Sequence, residues 1–372
     1  MSSKKTTSKK HLPWIDQLKG LAILGIISFH FFQNYPDRIE LVQNLYRNGA
    51  RWGYAAVDIF LVIAGFNTSY SLASRMQSRQ LSPLVQVDWK SWLLKRLSRL
   101  YPTYWLAIGV TLLLYYLFRE IEIKSFQDFI GIVIGLPSYE RFKTINPGFW
   151  FFSVILQAYL VIPLIFSFCQ SKPQLILILG ILGGLITKIA CLLFYRDFDV
   201  FWFLLQNNFL GSYFFQLGLG LYWGFIYFEQ QKFRKIDLAI SSLSFILGAF
   251  LYFYLIVKDI DFAYKIGFDM AFTPLFFIGI HWLFKRINLE KISPRDIFSR
   301  MGFYSYQIYL IHQPLLFLIL PYLGREMSLA PYPRLLVSIL ATTVLLTLYV
   351  LAFIQLEILV KKLTQKIPKH SV

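Results

Sequence analysis

The chain has 372 residues, of which 56% are hydrophobic and 19% aromatic, with a mean hydropathy of +0.54. That is too apolar for a water-soluble globule of this size and predicts an integral membrane protein. The formal net charge of +17 would suit a nucleic-acid binder, but the basic residues fall between apolar runs or at their ends, where they set topology, so no nucleic-acid partner is expected. Cys169 and Cys191 lie next to or inside apolar runs and imply neither a disulfide framework nor a metal site.

Residues 1–12 are basic and polar and read as a disordered arm. The first apolar run, Trp14 to Pro36, contains Asp16 and Lys19, is long enough to span, and lacks a small-residue cleavage pattern. It is therefore expected to stay as the first transmembrane helix rather than act as a cleaved signal peptide. Taking about 20 apolar residues per span predicts ten helices, at roughly 14–33, 52–73, 100–118, 148–168, 174–194, 207–228, 237–257, 266–284, 302–322 and 334–359. Between the third and fourth, Phe129 to Leu136 is apolar but too short to cross and reads as interfacial or re-entrant. The predicted fold is all-α: a polytopic membrane bundle forming one domain over 13–360, followed by a tail at 361–372. Lys and Arg favour one set of alternate loops about two to one, which predicts that both termini are cytoplasmic. Lys19 then lies toward the cytoplasm and His30 toward the outer leaflet.

On the first helix Lys19 and His30 are eleven residues apart, about three turns and roughly 16 Å, so they share a face, which Asp16 joins. Ionisable groups on one stripe of an apolar helix are either interfacial anchors with a packing histidine or parts of a site. In the second helix Asp58 falls at a depth comparable to that of His30. A lone carboxylate there is costly, so a partner is expected: His30, whose tautomer Asp58 would fix, unless Asp58 merely caps the helix end. Ala64, Gly65 and Phe66 form a small-residue notch open to a neighbouring helix or a ligand.

Next comes KSWLLKRLSR, in which Lys95, Arg96 and Arg99 would form a cationic patch if helical, suited either to lipid phosphates or to the phosphates of a cytosolic nucleotide-like cofactor. In the fourth helix Trp150 fits an aromatic belt, and Ser153, Gln157 and Tyr159 either line a cavity or bond other helices. His281, near the end of the eighth helix, is expected to be interfacial. In the ninth, Ser305, Tyr309 and His312 follow at i, i+4 and i+7 as one stripe. His312 is either a satisfied core histidine or part of a site.

In this order, IDQLKGLAILGIISFH, VDIFLVIAGF, KRLSR and YSYQIYLIHQPL resemble the motifs of the acyltransferase 3 family of integral membrane acyltransferases, a likeness over essentially the whole chain. The resemblance implies transfer of an acyl group, commonly acetyl, from cytosolic acyl-CoA to a hydroxyl of an envelope or exported carbohydrate at the cell membrane. His30 would be the catalytic residue, with Asp58 or a ninth-helix group orienting it. Lys19, Lys95, Arg96, Arg99, Trp150, Ser153, Ser305, Tyr309 and His312 would serve donor or substrate binding. The bilayer, acyl-CoA and the carbohydrate are the implied partners, and no permanent cofactor or metal is expected. The sequence departs from the family where many members carry a carboxylate pair in the fourth helix: Trp150 to Tyr159 has none. A glycan or lipid exporter is the alternative, disfavoured by the lack of an inverted repeat, as is a non-catalytic partner of a polysaccharide synthase.

Overall fold

The computed structural model describes residues 11–50, 56–79, 87–118, 125–136, 139–169, 172–194, 197–198, 200–201, 209–257, 269–287 and 296–365. Most of the N-terminal arm, the expected start of the second helix, the first residues of the sixth and the tail from 366 lie outside them. The ten expected helices are present as α1 (Pro13–Asn34), α2 (Ala56–Arg79), α3 (Trp89–Phe118), α4 (Trp150–Cys169), α5 (Pro173–Phe194), α6 (Phe214–Gln230), α7 (Lys235–Val257), α8 (Asp269–Arg286), α9 (Ser305–Arg325) and α10 (Pro331–Gln365). Eight of the helices in the described residues are long and apolar enough to cross a membrane. The two that fall short are α6 and α8, with 17 and 18 residues.

α6 is short because it is interior. From Gln216 to Tyr227 every one of its residues is buried, and it lies between α2 and α5. The outer wall is made by α5, α7 and α10, where Ile186, Ile246, Phe250, Leu340 and Leu348 are each more than half exposed, as lipid-facing side chains are. In lipid the hydrophobic effect does not press helices together, so close backbone approach has to do so. The notch at Gly65 is filled in this way by a helix: a Cβ there would meet the Leu217 carbonyl oxygen at 2.5 Å, and one at Gly220 would strike the Val62 carbonyl. The short helix Ile297–Phe303 crosses α1 just as tightly, with Gly20 against Phe298 and Gly302 against Asp16.

α3 begins at Trp89 rather than near residue 100, so KRLSR belongs to the spanning helix itself. The short apolar segment is a nine-residue helix, Phe126–Ile134, that cannot cross. Ser125 Oγ caps its start by accepting from the Asp128 amide at 3.1 Å, and Gly135 ends it at φ 75°. Its last carbonyls, which have no intrahelical partner, are met by α3: Tyr104 Oη donates to Ile132 O at 2.6 Å, Trp105 Nε1 to Val133 O at 2.9 Å and Tyr101 Oη to Ile134 O at 2.9 Å.

Gly220→Val should therefore overpack the α2–α6 crossing at a cost of about 1–3 kcal/mol. Thermal unfolding of the detergent-solubilised protein should show a lowered Tm, and an unchanged Tm would contradict this crossing.

Candidate functional site

A cavity of about 410 Å³ lies between α1, α2, α3, α4 and α9. His11, Asp16, Lys19, Arg96 and Arg99 line its outer end, and Phe60, Phe151 and Tyr309 its inner end. The outer charges are not equivalent. Asp16 accepts from Lys19 Nζ at 2.9 Å and pairs with His11 Nε2 at 2.9 Å, which neutralises much of the α1 charge. Among the described residues, neither Arg96 nor Arg99 meets a carboxylate. Arg96 is held instead by aromatic faces, its guanidinium carbon 5.3 Å from the Trp92 ring centre and 5.7 Å from that of Tyr159. These contacts orient it without lowering its charge. Because α3 is helical through the motif, Arg96 and Arg99 share the face toward the cavity, while Lys95, one residue round, is exposed and outside it.

The inner end leads to two histidines. The rings of Tyr309 and His312 are centred 5.9 Å apart, and those of His312 and His30 5.3 Å apart. His312 is fully buried. Its Nδ1 lies 3.1 Å from the Ile308 carbonyl oxygen and 2.9 Å from that of Tyr309. Carbonyls only accept, so Nδ1 carries a proton, which in the neutral tautomer leaves Nε2 as the basic nitrogen. That Nε2 is buried without a partner among the described residues. On His30 both contacts fall on Nδ1, with Gln33 Oε1 at 3.1 Å and Gln313 Nε2 at 3.0 Å. One ring nitrogen cannot donate to the first and accept from the second at once, so one of the two amides turns with the tautomer. In either state Nδ1 is engaged and Nε2 is left for an incoming group.

A turn before α4 sets where these rings lie. Asn146, completely buried, donates from Nδ2 to the Leu310 carbonyl at 2.7 Å and accepts the Gly148 amide on Oδ1 at 2.9 Å. Tyr309 Oη donates to the Gly148 carbonyl at 2.5 Å. A side chain at 148 would press on Gln313 Oε1, 2.8 Å from where its Cβ would sit.

Other expected residues are placed differently. Asp58 does not reach His30: it is buried against α8, where its Oδ2 accepts from Thr273 Oγ1 at 3.2 Å. Trp150 is buried and stacked on Tyr213 at 5.9 Å, not set in an exposed belt. Ser153 is buried and accepts from Gln157 Nε2 at 3.5 Å, while Gln157 Oε1 accepts the Leu210 amide at 3.0 Å. Both polar groups of α4 thus bond protein, whereas Tyr159 lines the cavity, as do Lys19, Ser305 and Tyr309. His281 is buried in protein, with Trp14 and Phe233 rings 4.6 and 4.9 Å away and Tyr227 Oη at 3.3 Å. Gln33, Gln313 and Asn146 were not expected. The signals for them were a glutamine one turn from His30, the glutamine beside His312, and an Asn-Pro-Gly turn.

A model of the acyltransferase 3 family, described as an acyltransferase domain, matches residues 12–352. The chain is 27% identical over 187 residues to the O-acetyltransferase OatA of Staphylococcus aureus, covering 46% of this chain and 27% of that protein. It is 25% identical over 210 residues to the peptidoglycan O-acetyltransferase OatA of Listeria monocytogenes, covering 52% and 31%. It thus spans about a third or less of those relatives' length. A putative acetyltransferase, ORF330, of Acidianus two-tailed virus is 26% identical over 312 residues, covering 82% of this chain and 84% of its own. No solved structure matches. With its family model running from the start of α1 well into α10, the chain belongs to the acyltransferase 3 family.

Proposed function

We propose that the chain is a membrane O-acyltransferase that takes an acyl group, acetyl foremost, from cytosolic acyl-CoA and delivers it to a hydroxyl of an envelope or exported carbohydrate. The observation that carries this reading is the cavity, with uncompensated Arg96 and Arg99 at its outer end and an inner end one ring removed from the His312–His30 pair. Guanidinium groups without carboxylate partners suit phosphates, and two on one helix face suit the phosphates of a nucleotide-like donor. The excess of Lys and Arg on the loops of that same side supports a cytosolic position for this end. The named activities of the OatA relatives point the same way, toward acetyl as the group and a cell-wall glycan as the acceptor.

In the reaction the acceptor hydroxyl oxygen attacks the thioester carbonyl carbon, and a C–O bond forms as the hydroxyl proton passes to His30 Nε2. The oxyanion then collapses, the C–S bond breaks, and the CoA thiolate takes the proton back from His30. The base role requires the His30 tautomer with the proton on Nδ1, which Gln33 Oε1 holds by accepting it. His312 and Gln313 are the ninth-helix groups beside His30, and they take the orienting role once expected of Asp58. Lys19, tied to Asp16, shapes the cavity rim more than it binds charge.

General-base help contributes typically 10²–10⁴ in rate. His30→Ala should lower acyl transfer in membrane vesicles supplied with labelled acetyl-CoA by about that factor while the protein accumulates normally, and wild-type transfer in that variant would end the proposal. Changing Arg96 and Arg99 together to Gln should raise KM for the donor more than it lowers kcat, as expected of uniform binding. Arg96→Lys alone should not behave as wild type, because an ammonium does not stack between Trp92 and Tyr159 as a guanidinium does. Steady-state kinetics against acetyl-CoA concentration check both.

A further inference from the structure

The cavity does not reach His30. Phe60 from α2, Phe151 from α4 and Tyr309 from α9 all line it, whereas His312 and His30 do not. These three rings are in consecutive contact, Phe60 to Phe151 at 6.2 Å and Phe151 to Tyr309 at 5.2 Å between centres. Tyr309 stands between the cavity and His312, and Phe151 and Phe60 continue the aromatic layer from it along the cavity wall. The members of this layer are held unequally. Tyr309 is fixed through its hydroxyl on the Gly148 carbonyl. Phe151 has no polar atom on its side chain and is held by apolar packing, including ring contacts with Phe60, Trp150 and Tyr309.

Reacting atoms must approach to about 3–3.5 Å, so a thioester carbonyl entering from the cation-lined end has to pass this layer to meet a hydroxyl activated at His30. We infer that Phe151, with Phe60 behind it, is the specificity-determining gate for the acyl group: it yields enough space for a two-carbon chain and excludes longer ones. This rests on the donor reading above and goes beyond it, since nothing in the cation cluster or in the histidine pair measures the length of an acyl chain. The wall around the aromatic layer supports an apolar slot, with Ile63, Phe152 and Ile155 also lining this part of the cavity. A slot of that character discriminates by size, each methylene counting for roughly 10–200-fold. Tyr309 cannot play the same part, because moving it would break its bond to the turn that positions α9.

The test is a donor-length profile. Transfer from acetyl-, propionyl-, butyryl- and hexanoyl-CoA is measured in vesicles carrying the full-length wild type, Phe151→Ala, Phe151→Leu and Phe60→Ala, as the ratio of kcat/KM for each donor to that for acetyl-CoA. Wild type should strongly prefer acetyl. Phe151→Ala should raise the butyryl-to-acetyl ratio at least about tenfold, with Phe60→Ala raising it less and Phe151→Leu least, because Leu refills part of the space. A ratio unchanged in all three variants, with wild type transferring acetyl, overturns the gate and leaves the donor reading standing. A wild type that takes acyl groups from none of the four donors overturns the donor reading, and the gate with it.

Discussion

The docking of one buried turn onto α9 is the constraint on which the site depends. Pro147 fixes the backbone between Asn146 and Gly148, and Asn146 uses that geometry to bond its own turn through Oδ1 and the Leu310 carbonyl through Nδ2. Tyr309 returns a hydrogen bond to the Gly148 carbonyl. Asn146 and Gly148 are buried, and an orphaned buried group costs about 1–3 kcal/mol. The three bonds therefore hold α9 to a single rotation and height relative to the start of α4. That rotation puts Tyr309 at the end of the cavity, His312 against His30, and Gln313 on His30 Nδ1. The absence of a Cβ at position 148 is what lets the turn lie against Gln313.

A second polar network fixes the first turn of the same helix. Glu357 of α10 is almost fully buried and would be costly alone. It accepts from Thr103 of α3, from Gln307 of α9 at 3.0 Å and from Lys361 at 2.6 Å. Tyr306 beside it donates to the Leu100 carbonyl at 3.0 Å. These bonds bring α3 and α9 together at the level where Arg99 and Ser305 meet the cavity. α9 is thus anchored twice, by Asn146 near the histidines and by Glu357 near the arginines. Its stripe of Ser305, Tyr309 and His312 spans both anchors and extends just beyond each.

What could be read in the sequence followed from one-dimensional pattern. Run length located the ten helices, and the failure of Phe129 to Leu136 to span followed from its shortness. Helical spacing put Lys19 and His30 on one face, and a string of four motifs carried the family. What could not be read was lateral: which residue on another helix faces a given side chain. Asp58 was assigned to His30 by depth alone, yet rotation about α2 turns it to Thr273, more than two hundred residues later. His281 was expected at an interface because of its position along α8, and that position did not show that Trp14, Tyr227 and Phe233 surround it. The start of α3 was set too late because the basic stretch before residue 100 is polar. A helix that carries its own cationic patch into solvent shows no hydropathy signal there, and spacing alone grouped Lys95 with Arg99, whereas the helix turns Arg96 and Arg99 to the cavity.

The division of labour among the helices follows from these contacts. α1 and α9 supply both ends of the passage: Lys19 and Ser305 near the arginines, His30 and His312 beyond Tyr309. Of the other helices, α3 contributes to the cationic end, α2 adds Phe60 to the aromatic layer, and α4 serves both, through Tyr159 beside Arg96 and Phe151 beside Tyr309. Since α1 and α9 are single rigid rods, sliding one against the other would move the outer and inner ends together. The aromatic layer is different. Its rings come from three helices, and only Tyr309 is tied by a hydrogen bond to a backbone carbonyl. Phe60 and Phe151 can change rotamer without breaking any polar contact, so under the gate proposed above the freedom to open is concentrated in two side chains, while the polar bonds that align the charges and the imidazoles stay intact.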